Sequence, residues 1–100
     1  MKKSLFILLI GSAVATSFNA SALDVEAKYK QTCFACHGTG AAGSPKVHDA
    51  AAWEPRLAQG IDVLLTSVKG GKNAMPPGGL CTDCSDDDYK ALIKFMSSKQ

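Results

Sequence analysis

The pentapeptide Cys33-Phe34-Ala35-Cys36-His37 decides the fold of this chain. Two residues separate the cysteines, so one helical turn places both sulfurs on the same side and delivers the histidine ring beneath them. Cys-x-x-Cys-His is the signature of covalently attached haem, in which Cys33 and Cys36 form thioethers and His37 is the proximal iron ligand. The motif predicts one covalent haem c, provided that the rest of the chain supports it.

The first 22 residues have the order of a secretory signal peptide. Lys2 and Lys3 form a short positive region, an apolar run follows, and residues 20–22 make an Ala-Ser-Ala cleavage site. The apolar run is too short to cross a bilayer as a helix, which takes about 20 residues. No cysteine at the cleavage site offers a lipid anchor. We expect residues 1–22 to be cleaved and residues 23–100 to be exported to the periplasm without a stable membrane anchor.

The expected mature chain has the size of one small domain and no net charge. Such a short chain buries only about 60% of its unfolded surface. It therefore needs additional stabilisation, such as a covalent haem or a disulfide. Loss of Lys2 and Lys3 leaves nine basic against nine acidic residues. A nucleic-acid-binding protein needs a clustered basic face, so we expect no nucleic acid among the partners.

Hydrophobic periodicity predicts an all-α domain of three to five helices packed around the haem. No segment alternates with period two over a useful length. The predicted elements are, in order, a helix capped by Asp24 that runs through Tyr29 and the cysteine motif to Gly38, a loop up to Ala52, a short helical turn over 53–57, a helix over 61–69, and a helix from Ser85 with Tyr89, Leu92, Ile93 and Met96 on one apolar stripe.

The second axial ligand of the iron has three candidates. Met75 lies in residues 72–79, where two prolines and two glycines exclude both helix and central strand. A thioether favours ferrous iron and raises the reduction potential. Met96 lies on the apolar stripe of the last helix, where a core role is expected, and His48 is a lone loop histidine. We rank Met75 first and His48 a distant second.

Cys81 and Cys84 form a second Cys-x-x-Cys pair, and no histidine follows it. Three interpretations remain: a structural disulfide, which export favours; a thiol–disulfide redox site; or, together with Cys33 and Cys36, a structural zinc site. The aspartates at 86–88 disfavour a reactive thiolate. A zinc site would leave three features unexplained, namely His37, the loop that carries Met75 and the signal peptide.

Five stretches together resemble the class I cytochromes c, and more narrowly the cytochrome c5 type of bacterial periplasms. They are Cys-x-x-Cys-His at 33–37, Pro45 after a Gly-Ala loop, Ala-Ala-Trp-Glu-Pro-Arg-Leu at 51–57, Met-Pro-Pro-Gly-Gly at 75–79 and Cys-Thr-Asp-Cys at 81–84. The resemblance covers essentially the whole expected mature region. It implies the small mono-haem class I cytochrome c fold.

The resemblance also implies roles for further residues. In similar proteins a proline carbonyl accepts the proton on the outer nitrogen of the proximal histidine, and Pro45 occupies that place. Trp53 and Arg56 fall where similar proteins put residues near the haem propionates, with core packing as an equal interpretation for Trp53. The resemblance further favours a disulfide between Cys81 and Cys84.

The function implied is that of an electron carrier and not of an enzyme. We expect it to shuttle single electrons through a His/Met-ligated haem between respiratory donors and acceptors. Its partners would be a membrane or periplasmic donor and a terminal oxidase or reductase, which dock at the exposed haem edge. A monomer is the expectation, with a weak dimer through haem edges as the alternative. The competing class, a haem enzyme or gas sensor, needs an open iron site.

Overall fold

The computed structural model describes Gly11 and residues 23–99, and their fold is all-α with no strand. The predicted signal peptide and its cleavage site lie outside the described residues, Gly11 apart. Within those residues, no helix has the length and hydropathy that a membrane span requires. The elements in chain order are α1 (Val25–Thr32), α2 (Phe34–His37), a 3₁₀ turn (Ala41–Gly43), α3 (Ala50–Leu57), α4 (Ile61–Gly70) and α5 (Asp86–Ser97).

The N-termini of α1 and α5 are capped as the sequence predicts. The Asp24 carboxylate accepts a hydrogen bond from the Ala27 amide at 3.1 Å. At α5, the Ser85 hydroxyl accepts from the Asp88 amide at 3.1 Å, and the Asp88 carboxylate accepts from the Ser85 amide at 3.0 Å. This reciprocal pair is a capping box, so the acidic run in the first turn of α5 stabilises the start of that helix.

The predicted helix through the cysteine motif is divided in the structure. α1 ends at Thr32, Cys33 separates the two helices, and α2 completes one turn before Gly38. Cys33 keeps right-handed helical angles (φ −92°, ψ −24°), and its carbonyl accepts a hydrogen bond from the His37 amide at 2.9 Å. The interruption therefore preserves the one-turn spacing on which haem attachment depends.

Helix α3 begins earlier than the sequence predicts. The prediction of a loop up to Ala52 and a helical turn from Trp53 is wrong, because α3 already begins at Ala50. The Asp49 carboxylate accepts a hydrogen bond from the Ala52 amide at 3.3 Å and caps the helix. The alanines that follow have the best intrinsic helix propensity, so the helix extends back to this cap.

The core lies where α1, α3 and α4 pack against α5. Its largest buried side chains are Tyr29 of α1, Trp53 of α3, Leu64 of α4 and, on α5, Tyr89, Leu92, Ile93 and Met96. The α5 members are those of the predicted apolar stripe, so that prediction is confirmed. Full burial of an aliphatic or aromatic side chain stabilises the fold by about 1.5–3 kcal/mol. Helix α5 is therefore the central element against which the other helices pack.

An ion pair connects α1 to the segment that precedes α5. The Lys28 ammonium donates hydrogen bonds to both carboxylate oxygens of Asp83, at 2.7 and 3.0 Å. The side chain of Lys28 is 18% exposed and that of Asp83 is 73% exposed. The hydrogen bond from Lys28 holds the pKa of Asp83 below its ordinary value, and a hydrogen bond from the backbone of Asp83 itself lowers it further.

Substitution Lys28→Met is expected to raise the pKa of Asp83 toward the unfolded-chain value of about 3.9. Because the pKa of Asp83 is lower in the folded state, the pair stabilises the fold fully at pH values above the unfolded-chain pKa. This contribution is lost as the pH falls through the folded pKa. NMR titration of the Asp83 carboxyl carbon measures the change. Lys30→Met is the matched control, since Lys30 pairs with Glu26. An Asp83 pKa that is the same in both variants would contradict the assignment.

Candidate cofactor-binding site

A cavity of about 190 Å³ is lined both by the cysteine motif and by the segment around Met75. Cys33, Cys36 and His37 contribute to its lining, and so does Met75, far along the chain. Its apolar lining from α4 and α5 consists of Leu64, Val68, Ile93 and Met96. The structure thus brings the four residues predicted to attach and ligate a haem to the wall of one cavity.

The imidazole of His37 is held on two sides. Its Nδ1 lies 2.8 Å from the carbonyl oxygen of Pro45, which accepts the ring proton. The Trp53 ring stacks on it with 5.6 Å between ring centroids and an angle of 26° between the planes. A histidine whose Nδ1 donates to a carbonyl keeps the lone pair on Nε2. His37 therefore presents Nε2 as a ligand atom in a fixed orientation.

The two thiols of the motif differ in their surroundings. Cys36 is exposed and Cys33 is half-buried. Burial raises the pKa of the Cys33 thiol, and the Thr32 hydroxyl, 3.3 Å from Sγ, lowers it to a smaller extent. A thiol with a raised pKa carries little thiolate near neutral pH. This environment does not favour a thiol–disulfide exchange site at the first cysteine pair.

Met75 lies on an ordered turn. The Lys72 amide donates to the Met75 carbonyl at 3.0 Å, and the Met75 amide donates to the Lys72 carbonyl at 2.9 Å. Asn73, inside the turn, has a φ of 53°. Gly71, just before the turn, has a φ of 83°, and a Cβ there would lie 3.0 Å from the Met75 carbonyl oxygen. Only glycine adopts this backbone without strain, so Gly71 allows the turn to close.

The two rival ligands take other places. His48 lies away from the cavity lining: its Nδ1 is 2.7 Å from the Ser98 carbonyl oxygen, and its ring packs edge-on against Phe95 with centroids 5.0 Å apart. Met96 does line the cavity, but it belongs to the buried face of α5 and is 3% exposed. Among the three candidates, Met75 alone both lies in a loop and lines the cavity.

Trp53 and Arg56 both line the cavity. The indole Nε1 of Trp53 donates to the Lys46 carbonyl at 2.8 Å, so its one polar group is engaged within the protein. Arg56 donates from Nη1 to the Ala52 carbonyl at 2.6 Å and retains further donors. Sequence reasoning missed Lys72, which also lines the cavity. The described lining holds these two cations and no carboxylate, a charge pattern that suits an anionic group.

Cys81 and Cys84 lie close together, with Cα atoms 5.5 Å apart, within the range of disulfides. Within the described part of the chain, the one group of three potential metal ligands is Cys81, Asp83 and Cys84. Cys33 and Cys36 do not belong to it. The geometry therefore does not assemble the four-cysteine zinc site that the spacing alone allows.

The donor set around the cavity fits a covalently attached haem. Two thiols one helical turn apart can each form a thioether, and the imidazole Nε2 and a thioether sulfur are the two axial ligands of many haem proteins. The apolar lining suits a porphyrin face, while Arg56 and Lys72 suit its carboxylates.

The chain is similar to known cytochromes. A sequence model of the family described as "Cytochrome C oxidase, cbb3-type, subunit III" matches residues 20–96. Cytochrome c5 of Azotobacter vinelandii is 55% identical over 76 residues, which cover 74% of this chain and 88% of that protein. A mono-heme ferrocytochrome c from Shewanella putrefaciens has a TM-score of 0.69 and 59% identity, over 80% of this chain and 99% of that one. A chain in the crystal structure of an electron transfer complex of nitrite reductase with cytochrome c has a TM-score of 0.65 and 43% identity, over 72% of this chain and 88% of that one.

Proposed function

We propose that this chain, which belongs to the class I c-type cytochromes and resembles cytochrome c5, carries single electrons in the periplasm through a haem ligated by His37 and Met75. Members of this family are electron carriers with one covalently attached haem c and are not enzymes. The observation that supports the ligand set is the shared cavity of Cys33, Cys36, His37 and Met75. The bound haem supplies one-electron exchange between ferric and ferrous iron.

On the proximal side, the protein attaches the haem and orients its histidine. Cys33 and Cys36 hold the porphyrin through thioethers, so the cofactor cannot dissociate. Pro45 accepts the Nδ1 proton of His37, which fixes the tautomer and the orientation of the ring. Trp53 limits rotation of the imidazole by packing against it. We assign this packing role to Trp53 because its N–H is engaged by a backbone carbonyl.

On the distal side, Met75 closes the sixth position. Its turn is paired with Lys72 through two backbone hydrogen bonds, so the thioether is presented without ordering a long flexible loop at each ligation event. With His37 and Met75 both as ligands, water and small ligands would be kept away from the iron. Arg56 lines the cavity and has donors free of its bond to Ala52, so it would be able to pair with a haem propionate.

The pair Cys81–Cys84 acts as a structural disulfide in this proposal. It joins the end of the Met75 segment to the residue before the Ser85 cap of α5. Disulfides persist outside the cytoplasm, which agrees with export by the signal peptide at residues 1–22. The disulfide closes a short loop, so its stabilising effect is modest, about 2 kcal/mol on the chain-entropy model.

Redox enzymes are the proposed partners. A related cytochrome c forms an electron transfer complex with nitrite reductase, and a reductase or terminal oxidase of this general kind is the expected acceptor. The docking site would be the cavity rim, where Leu80 is 58% exposed and Pro76 is also exposed. We expect this rim to form a transient complex with the redox partner and the carrier itself to be a monomer.

The test is expression of the whole chain in a host that matures c-type cytochromes, followed by fractionation and visible redox titration. We expect a red periplasmic protein that titrates with a single electron and whose ferrous form does not bind carbon monoxide at neutral pH. Rapid carbon monoxide binding would favour a haem enzyme or gas sensor instead. A colourless product that contains zinc would contradict the haem assignment.

A further inference from the structure

We propose that Tyr89 is a positioning residue for Met75 and that it acts through the backbone carbonyl of Cys81. The inference rests on the proposed ligation of the haem by Met75. The inference concerns the segment of residues 72–81, which carries Met75. The end in question is residues 78–81, where the chain leaves the loop toward α5. Two hydrogen bonds hold the Lys72 end of this segment, whereas the other end depends on the contacts of Gly78 and Cys81.

The hydroxyl of Tyr89 is the buried partner of that carbonyl. It donates to the Cys81 carbonyl oxygen at 2.6 Å. Tyr89 is 8% exposed and Cys81 is 2% exposed, so water cannot replace the phenol without opening the packing. A buried carbonyl that loses its donor bears the full cost of its desolvation. The bond therefore holds the backbone at Cys81 in one position.

Gly78 allows the hydroxyl to reach its acceptor. A Cβ at Gly78 would lie 3.0 Å from the Tyr89 hydroxyl, and the φ of 76° at this residue is also one that glycine tolerates best. The Cys81 amide donates to the Gly78 carbonyl at 3.1 Å, and the Gly78 amide donates to the Val68 carbonyl at 2.6 Å. Hydrogen bonds thus connect the Tyr89 side chain to the turn at 78–81 and this turn to the end of α4. These three elements form one connected unit.

This unit lies beside Met75. The Gly79 amide donates to the Pro76 carbonyl at 3.0 Å, and a Cβ at Gly79 would lie 3.4 Å from the Met75 methyl carbon. Met75, Gly79, Cys81 and Tyr89 line one small cavity. A shift of the backbone at Cys81 would therefore displace the turn at 78–81, which lines the same small cavity as the Met75 thioether.

Tyr29 provides a matched control within the same molecule. It is 5% exposed and packs in the core, as Tyr89 does. Its buried hydroxyl has no hydrogen-bond partner among the described residues. Tyr29→Phe therefore removes the same atom from a similar environment without breaking a bond, whereas Tyr89→Phe breaks one.

Titration of the ferric holoprotein with imidazole, which competes with Met75 for the iron, tests the proposal. We expect Tyr89→Phe to lower the dissociation constant for imidazole about fivefold to tenfold, the factor associated with a lost buried hydrogen bond. We expect Tyr29→Phe to stay within twofold of the unsubstituted protein. The reduction potential of Tyr89→Phe should fall in parallel. A purely structural role of Tyr89 would lower stability and leave both quantities unchanged.

Three results would overturn the proposal. The first is an imidazole affinity of Tyr89→Phe within twofold of the unsubstituted protein, and the second is an equal change in Tyr29→Phe. The third is absence of methionine ligation in the unsubstituted protein, which would remove the proposed function as well and is therefore distinguishable from the other two.

A measurement on the unsubstituted protein serves if Tyr89→Phe does not fold. Saturation with imidazole should release the segment, so hydrogen exchange at the Cys81 amide should become several-fold faster. The Lys28 amide of α1, which donates to the Asp24 carbonyl at 2.9 Å, should not change. Exchange at Cys81 that is unaffected by imidazole would mean that Met75 moves independently of this unit and would contradict the proposal.

Discussion

Substitution of Met75 by leucine should lower the reduction potential by on the order of 100 mV or more, within the range of about 0.8 V that axial ligation spans. The thioether stabilises ferrous iron, and leucine fills a similar volume without offering a ligand atom. The ferrous variant should bind carbon monoxide at neutral pH. Redox titration and a carbon monoxide difference spectrum measure the two effects.

Met96→Leu is the matched control for this prediction. Met96 also lines the cavity but belongs to the buried face of α5. A volume-conserving substitution in a core usually costs less than about 1.5 kcal/mol, so the potential and the closed sixth position should persist. If Met96→Leu opens the iron and Met75→Leu does not, the two methionines have been assigned in the wrong order.

Replacement of both Cys33 and Cys36 by alanine should have the largest effect on folding. Without thioethers the haem is no longer retained, and the chain must close or expose a cavity of about 190 Å³. At about 24 cal/mol per Å³ this costs roughly 4–5 kcal/mol, comparable to the whole stability of a small domain, about 5–15 kcal/mol. We expect a colourless and largely unfolded product by circular dichroism.

The second cysteine pair offers the control for that experiment. Replacement of Cys81 and Cys84 by alanine removes the same number of sulfurs without touching the attachment motif. The protein should remain red and folded, with stability lower by about 2 kcal/mol on the chain-entropy model. Loss of covalent haem from this variant, or its retention when Cys33 and Cys36 are replaced, would contradict the distinct roles of the two pairs.

Features governed by short-range chemistry were predictable from the sequence. The caps of α1 and α5 involve residues three positions apart, Asp24 with Ala27 and Ser85 with Asp88. The buried stripe of α5 follows from helical periodicity alone. The family resemblance, which similar known proteins support, rested on five short stretches, because haem attachment constrains the local sequence so strongly.

Features that depend on distant partners were not predictable. The hydrogen bond from Tyr89 to Cys81 connects a helix to a loop eight residues away, and periodicity marks Tyr89 only as a core residue. Likewise, the indole of Trp53 donates to Lys46, a backbone carbonyl that no pattern of side chains reveals. The start of α3 was missed for a different reason. Asp49 is a good N-cap, but it follows a Gly- and Ser-rich stretch, which favours the prediction of a loop.

The pairing of Lys72 with Met75 shows the same limit at the site itself. Prolines and glycines indicate that the segment is irregular, but they do not show that two backbone hydrogen bonds order it. That order depends on the φ of 83° at Gly71, which only the folded chain reveals. Met75 was therefore identifiable as a candidate ligand from the sequence, whereas the order of its turn was not.

The most direct measurement is NMR of the ferrous protein with isotope-labelled methionine methyl groups. A methyl group bound through its sulfur to haem iron lies within the ring current of the porphyrin, so its resonance moves far upfield of ordinary methionine signals. We predict that the Met75 methyl shows this shift, assigned by its loss in Met75→Leu, and that the Met96 methyl does not. A Met75 methyl at an ordinary position in a folded, haem-containing protein would contradict the account.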